Sequence, residues 1–161
     1  MTELNQLLKR LCEANVEFVI VGGFAATLHG STLLTRDLDV CTILNAESVE
    51  KLRELFRDLH PVHRFTPQRL SFLDNPDPGT PMNNLYLQTD LGAVGFLGTI
   101  SGVGTYASVR QHSIEVELFG YPVRVISRDA LIKAKEAIGR EKDLLAVKEL
   151  RAIIEKSSHS E

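Results

Sequence analysis

The most constraining feature of the chain is an apolar run that leads directly into two glycines. Residues 16–21 are almost entirely apolar, the pattern of a strand that is buried on both faces. Gly22 and Gly23 follow, and residues 23–29 predict a short helix. A strand that enters a helix through two glycines can present backbone N–H groups to a phosphate. A tight turn with no ligand explains the same pair, so the glycines alone do not decide between the two.

Two aspartates at alternate positions mark the start of the next predicted strand, residues 38–43, one just before it and one inside it. Alternate side chains of a strand lie on one face, so Asp37 and Asp39 point the same way. Neighbouring carboxylates repel unless a cation lies between them, and Mg²⁺ (or Mn²⁺), which brings substrate phosphates with it, is the usual cation. Two solvated acids on an exposed strand would give the same pattern. Arg36 beside them is either a local counter-charge or a phosphate contact.

The remaining chain shows no internal repeat and no linker. Its 161 residues fit one domain at residues 1–156, followed by a frayed tail at residues 157–161. Residues 60–84 contain five of the six prolines and predict a long irregular loop, of the kind that often binds or covers a ligand.

Charge and cysteine content exclude several classes of protein. The net charge is -3 and no block of Lys or Arg stands out, which argues against a large nonspecific nucleic-acid surface but leaves room for a local groove. Cys12 and Cys41 have neither the spacing of a metal site nor that of a disulfide framework. No signal peptide and no apolar run near the length of a membrane span is present, which predicts a cytoplasmic protein without a membrane partner.

Two charged side chains fall on apolar helix faces near the C-terminus. Helical periodicity places Lys135 on the stripe of residues 131, 134 and 138, and Asp143 on the stripe of residues 147, 150 and 154. An unpaired buried charge is costly. Lys135 and Asp143 therefore pair with each other or with helix ends, or Lys135 faces a bound phosphate; Asp143 also suits the positive N-terminus of its own helix.

Together these motifs resemble the nucleotidyltransferase superfamily typified by DNA polymerase beta and kanamycin nucleotidyltransferase. The resemblance covers about residues 16 to 150. It rests on Gly22-Gly23, the helix after it, Thr35-Arg-Asp-Leu-Asp-Val40, and the Lys135…Arg140…Lys142-Asp143 signature. That last signature is similar to one in small bacterial members related to type IV toxin–antitoxin nucleotidyltransferases.

The resemblance implies an α+β fold with a mixed β-sheet of about five strands flanked by helices and a C-terminal helix pair. It implies transfer of a nucleoside monophosphate from a nucleoside triphosphate to a hydroxyl of RNA or protein, with a toxin or antitoxin as a further partner. Asp37 and Asp39 would be the catalytic ligands of Mg²⁺. The nucleotide-binding residues that it implies are Gly22, Gly23, Arg36, Lys135 and Asp143.

The chain departs from this family at the third acid of the site. The strand around residues 89–97 usually carries an acid at the position that Gly95 holds here, and glycine has no side chain to bind a metal. Asp90 becomes the catalytic substitute if the strand bends, whereas as a turn acid beside Gly92 it would have no such role.

Gly95 therefore supports an alternative function: a catalytically impaired nucleotidyltransferase fold that binds a nucleotide or a partner protein. A non-catalytic dinucleotide-binding domain is a third alternative. The absence of Gly-x-Gly-x-x-Gly and the position of the acids at the start of the second strand argue against it.

Overall fold

The structure, a computed structural model, describes residues 2–33 and 35–159, with side chains described as far as residue 156. This part of the chain contains six α-helices and nine strands. The helices are α1 (Glu3–Glu13), α2 (Gly22–Leu28), α3 (Ala46–Phe56), α4 (Tyr106–Gln111), α5 (Arg128–Ile138) and α6 (Glu141–His159). The strands are β1 (Val19–Val21), β2 (Leu38–Cys41), β3 (Val62–His63), β4 (Asn84–Thr89), β5 (Gly92–Leu97), β6 (Thr99–Ile100), β7 (Gly104–Thr105), β8 (Ser113–Leu118) and β9 (Tyr121–Ile126).

Seven of these strands form one mixed sheet in the order β3-β4-β5-β2-β1-β9-β8, while β6 and β7 form a separate ribbon. β1 runs antiparallel to β2 and parallel to β9, and β2 runs parallel to β5. The predicted α+β fold with a mixed sheet between helices is confirmed. The expected number of about five strands is wrong, because the edge strand β3 is only two residues long and too short to show an alternating pattern.

The central strands of the sheet lie in one continuous apolar core. Every residue of β1 is buried, as the apolar run predicts. Helix α1 packs against β2 and β5, and its stripe of Leu7, Leu8 and Leu11 is fully buried. Burying a leucine side chain contributes about 1.5–3 kcal/mol to folding, so this stripe holds the helix firmly on the sheet.

The long loop between β3 and β4 is anchored by a buried arginine of α3. Arg53 is 4% exposed. Its guanidinium donates to the carbonyl oxygens of Phe72, at 3.0 Å, and Pro76, at 2.6 Å, and it lies 5.0 Å from the centre of the Phe72 ring. These contacts tie the loop to α3, so the irregular segment has a defined path beside the sheet.

The C-terminal helix pair that the resemblance implies is present, and local signals set the bounds of its first helix. The Ser127 hydroxyl caps α5 by accepting the N–H of Ala130 at 3.2 Å, and Gly139 ends the helix with a left-handed φ of 70°. Helix α6 packs on α5 and runs to His159, past residue 156, where the sequence analysis ends the domain. Residues 160 and 161 of the predicted tail lie outside the described residues. No helix in the described ranges is long and apolar enough to cross a membrane.

Candidate active site

The register of the three central strands brings the predicted acids and glycines together. Asp39 in β2 lies opposite Val21 of β1 on one side and opposite Gly95 of β5 on the other. Val21 is the last residue of β1, so the turn at Gly22 begins directly beside Asp39. Asp37 lies one residue before β2, two positions from Asp39. The sheet therefore places a glycine turn and a pair of carboxylates at one point.

Close packing against β2 and the segment before it accounts for both glycines of the turn. Gly22 has a left-handed φ of +67°, and a Cβ there would lie 3.0 Å from Oδ2 of Asp39. A Cβ at Gly23 would lie 2.8 Å from Oγ1 of Thr35. Both glycines are only partly buried, and Gly22 borders the Asp39 carboxylate. Packing thus explains the glycines, and the same geometry leaves the turn open to a ligand.

The surroundings of Asp39 disfavour its ionised form. Burial raises the pKa of Asp39, and the neighbouring charge of Asp37 raises it further. Arg64, Lys135 and Lys142 act in the opposite direction and lower it, but the pKa remains above its usual value. The charges of three cationic side chains therefore act on Asp39, and one of them, Arg64, also makes an ion pair with Asp37.

Two members of this cluster do not emerge from the sequence analysis. Arg64 lies in the loop after β3, and its Nη1 donates to Oδ2 of Asp37 at 3.0 Å. Tyr86 lies opposite Gly95 in β4, and burial followed by the charge of Asp39 raises its pKa. No local pattern marks Arg64, because its loop has no periodicity. The signal for Tyr86 was the alternation of β4, which puts residues 85 and 87 in the core and residue 86 on the other face.

The C-terminal signature forms a compact ion cluster. Nζ of Lys135 lies 4.0 Å from Oδ1 of Asp143, and Oδ2 of Asp143 accepts Nε of Arg140 at 2.6 Å and its backbone N–H at 3.2 Å. Burial lowers the pKa of Lys135, while the charge of Asp143 opposes that shift. Burial alone would raise the pKa of Asp143, but the hydrogen bond and charge of Arg140, together with Lys135, bring it below its usual value. Asp143 is therefore occupied by its neighbours and holds Lys135, which in turn acts on Asp39.

Two predicted residues make no ion pair or hydrogen bond with the acid pair among the contacts of the described residues. Arg36 is exposed and makes no ion pair with a described residue. Asp90 lies in the turn between β4 and β5, where its Oδ2 is 2.7 Å from Nδ1 of His60. This hydrogen bond to Asp90 is the main cause that raises the pKa of His60.

The β4–β5 turn closes at Gly92, three residues before Gly95, which is a displacement of roughly 10 Å along a strand. The structure therefore does not bring Asp90 to Asp37 and Asp39.

The position of the missing third acid is filled by Asp39 itself. A Cβ at Gly95 would overlap Oδ1 of Asp39 and lie 3.2 Å from Cδ1 of Tyr86. Within the described residues, no group of three or more His, Cys, Asp or Glu side chains is placed to hold a metal ion. Two carboxylates nevertheless suffice for Mg²⁺, which in proteins is commonly held by one or two carboxylates plus water and substrate phosphates. Asp37 and Asp39 thus fit one such ion.

Comparison with known proteins gives a consistent result for the fold. No protein-family model matches the sequence, and no curated protein matches it. Among solved structures, the lincomycin-bound lincosamide antibiotic adenylyltransferase LnuA matches with a TM-score of 0.62 and 18% identity over 94% of this chain and 96% of that one. A protein of Thermotoga maritima, described provisionally as a nucleotidyltransferase, matches with a TM-score of 0.57 and 16% identity over 92% of this chain and 94% of that one. An antigenic nucleotidyltransferase-like protein of Paracoccidioides brasiliensis matches with a TM-score of 0.52 and 17% identity over 94% of this chain and 73% of that one.

These structural matches cover nearly the whole chain, and at such low sequence identities they support a shared fold only. The topology agrees with them, because β1 and β2 are antiparallel although a helix joins them. A dinucleotide-binding domain would instead have parallel strands on either side of its first helix. The chain therefore has the fold of the nucleotidyltransferase superfamily.

Proposed function

We propose that this protein is a cytoplasmic nucleotidyltransferase that transfers a nucleoside monophosphate from a nucleoside triphosphate to a hydroxyl group. The observation that carries the proposal is the pair Asp37 and Asp39, with Arg64 ion-paired to Asp37 and the positive charges of Lys135 and Lys142 acting on Asp39. Paired carboxylates favour a divalent cation, and converging cations favour a polyanion. A nucleoside triphosphate that arrives with Mg²⁺ satisfies both preferences at once.

Asp37 and Asp39 would hold Mg²⁺ or Mn²⁺. The pKa of Asp39, raised by burial and then by the neighbouring charge of Asp37, supports this assignment, since a bound cation would favour the ionised form. When bound, the ion supplies Lewis-acid chemistry: it polarises the phosphoryl oxygens and lowers the pKa of the attacking hydroxyl. Lys135 and the backbone of Gly22 and Gly23 would hold the phosphates. Asp143 would keep Lys135 in place without touching the nucleotide.

The reaction exchanges one bond to phosphorus for another. The acceptor oxygen bonds to the α-phosphorus, the bond to the bridging oxygen of pyrophosphate breaks, and the hydroxyl proton is released to water. In-line attack requires the acceptor to approach opposite the leaving pyrophosphate. If the phosphates lie at the glycine turn beside β1, the acceptor approaches from the side of β5 and β4, where Gly95 and Tyr86 lie.

The acceptor is proposed to be RNA or protein on the basis of the sequence resemblance, and a toxin–antitoxin pairing rests on that resemblance as well. A small-molecule hydroxyl is a further candidate, since the structure of LnuA is that of an antibiotic adenylyltransferase with lincomycin bound. A catalytically impaired nucleotide-binding protein is the second candidate function. It is favoured by Gly95, where a third acid would collide with Asp39.

Transfer of label from nucleoside triphosphates carrying radioactive α-phosphate tests these proposals. The protein is incubated with Mg²⁺ or Mn²⁺ and, separately, with total RNA, with a protein extract and with lincomycin. Asp37→Asn and Asp39→Asn are expected to abolish transfer. Asp90→Asn is the matched control, because it removes an acid that lies in an exposed turn away from the pair.

Each result has a distinct meaning. Transfer that survives both Asp37→Asn and Asp39→Asn refutes the site. Loss of transfer in Asp90→Asn would return Asp90 to the catalytic set. Nucleotide binding without transfer to any of the three acceptor classes favours the second candidate function.

A further inference from the structure

Arg64 is the only described arginine or lysine whose side chain makes an ion pair with either acid of the pair. Its Nη1 lies 3.0 Å from Oδ2 of Asp37, and its charge also lowers the pKa of Asp39. Both Arg64 and Asp37 are partly buried, so the contact is less screened by water than an exposed surface pair. A guanidinium at this point competes with any divalent cation for the same carboxylate oxygen.

The fold holds Arg64 at this position. The backbone N–H of Arg64 donates to the carbonyl of Tyr86 at 2.9 Å, which fixes the start of the loop to β4. The guanidinium carbon lies 5.2 Å from the centre of the Phe65 ring, and that ring packs edge-on against Tyr86 with its centre 5.1 Å away. Phe65 is 68% exposed, so it is held in place by these contacts rather than by burial. The backbone hydrogen bond to Tyr86 and the packing of the Phe65 and Tyr86 rings therefore hold Arg64 beside the acid pair.

The charge of the site explains why a cation is placed there. Phosphoryl transfer through two metal ions requires carboxylates for both ions. Within the described part of the chain, only Asp37 and Asp39 meet at this point, and a third acid at Gly95 has no room beside Asp39. A guanidinium offers a planar fork that matches two phosphate oxygens, and it carries a charge that never titrates in the working range.

We infer that Arg64 takes the electrostatic role of a second metal ion. On this inference, which rests on the proposed nucleotidyl transfer, Arg64 pairs with Asp37 when no nucleotide is bound. It moves to the transferring phosphoryl group when a nucleoside triphosphate and one divalent ion bind. The site then works with one metal ion and one guanidinium, and the arginine is a nucleotide ligand as well as a competitor of the free metal.

The test measures metal and nucleotide binding separately. Mn²⁺ binding is followed by electron paramagnetic resonance, without nucleotide and with the non-reactive analogue α,β-methylene ATP, and affinity for the analogue is measured by calorimetry. The variants are Arg64→Gln and Arg64→Lys. Arg69→Gln is the control, because Arg69 is an exposed arginine of the same loop whose side chain makes no ion pair with a described residue.

The unmodified protein is expected to bind one Mn²⁺ per chain in the presence of the analogue. Arg64→Gln is expected to weaken binding of the analogue by about tenfold or more, the usual effect of losing a charge-assisted hydrogen bond, and to tighten binding of Mn²⁺ without nucleotide. Arg64→Lys keeps the charge but loses the fork, so it should recover only part of the nucleotide affinity. Opposite shifts of the two affinities are not expected of a purely structural residue.

Other outcomes overturn the inference in distinguishable ways. Two Mn²⁺ per chain, or an Arg64→Gln protein that matches Arg69→Gln in both affinities, refutes the role of Arg64 and leaves the proposed function intact. An unmodified protein that binds neither Mn²⁺ nor the analogue refutes the proposed function and this inference with it. Thermal unfolding of each variant shows whether a loss of binding reflects a loss of fold.

Discussion

Gly95 offers the sharpest test of the site geometry. A methyl group at this position would overlap Oδ1 of Asp39 and lie 3.2 Å from Cδ1 and 3.4 Å from Cε1 of Tyr86. Overpacking of this kind costs about 1–3 kcal/mol, because neighbours must leave their preferred positions. The backbone of Gly95 is that of an ordinary strand, so the cost arises from the collision and not from a strained φ. Gly95→Ala is therefore expected to lower the free energy of unfolding by that amount.

The source of the cost can be isolated by a double-mutant cycle. For a chain of this size, 1–3 kcal/mol corresponds to a fall in melting temperature of roughly 2–12 °C, which calorimetry or circular dichroism resolves. Asp39→Ala removes the carboxylate that the new methyl group would meet, so Gly95→Ala should cost distinctly less in that background. An equal cost in both backgrounds would show that Asp39 does not lie over Gly95, and a neutral Gly95→Ala would refute the packing argument altogether.

Three further predictions concern Asp39, Arg53 and Lys135. Because folding raises the pKa of Asp39, this residue stabilises the fold fully below its unfolded-state pKa, and the stabilisation is lost as the pH rises through its folded-state pKa. Without metal at pH 7, Asp39→Asn should therefore have a higher free energy of unfolding than the unmodified protein. Denaturant titrations should show this difference shrinking toward about pH 4. Arg53→Met removes the hydrogen-bond donor to the carbonyls of Phe72 and Pro76, so it should lower the free energy of unfolding by at least about 2 kcal/mol. Amide hydrogen exchange in the loop should become faster, and unchanged exchange would contradict the anchoring role of Arg53. Lys135→Met should change the free energy of unfolding by no more than about 1 kcal/mol, because Asp143 keeps its ion pair with Arg140. The same variant should bind inorganic triphosphate more weakly in calorimetry. Triphosphate binding equal to that of the unmodified protein would exclude Lys135 as a phosphate contact.

The predictable part of the site is the part that is local in sequence. The alternation of side chains in a strand places Asp37 and Asp39 together without knowledge of any other element. Helical periodicity likewise predicts that Lys135 and Asp143 face inward, and the structure shows their charges 4.0 Å apart. Buried strand β1 and the capped start of α5 follow from equally short-range signals. Each of these features depends on residues within about two turns or one strand.

The features that the sequence analysis lacks depend on contacts between distant segments. Arg64 reaches Asp37 across 27 positions of sequence, from a loop whose path is set by the tertiary contacts of Arg53. Helix α4 and the ribbon of β6 and β7 lie in a stretch for which the sequence analysis predicts no element. The sequence analysis leaves Asp90 as either a catalytic substitute on a bent strand or a turn acid beside Gly92, and the register of β4 against β5, which no pattern within either strand specifies, places it in the turn.

The loss of the third acid and the presence of Arg64 are two consequences of one arrangement around Asp39. The carboxylate of Asp39 lies between the positions that a Cβ would take at Gly22 and at Gly95, so the site has no room for another side chain on either side. A site with two acids balances one divalent ion, and the guanidinium supplies the further positive charge that a transferred phosphoryl group needs. Gly95→Asp would therefore not rebuild a three-acid site: the new carboxylate would displace Asp39 and offer Arg64 a second partner, so metal affinity should fall rather than rise.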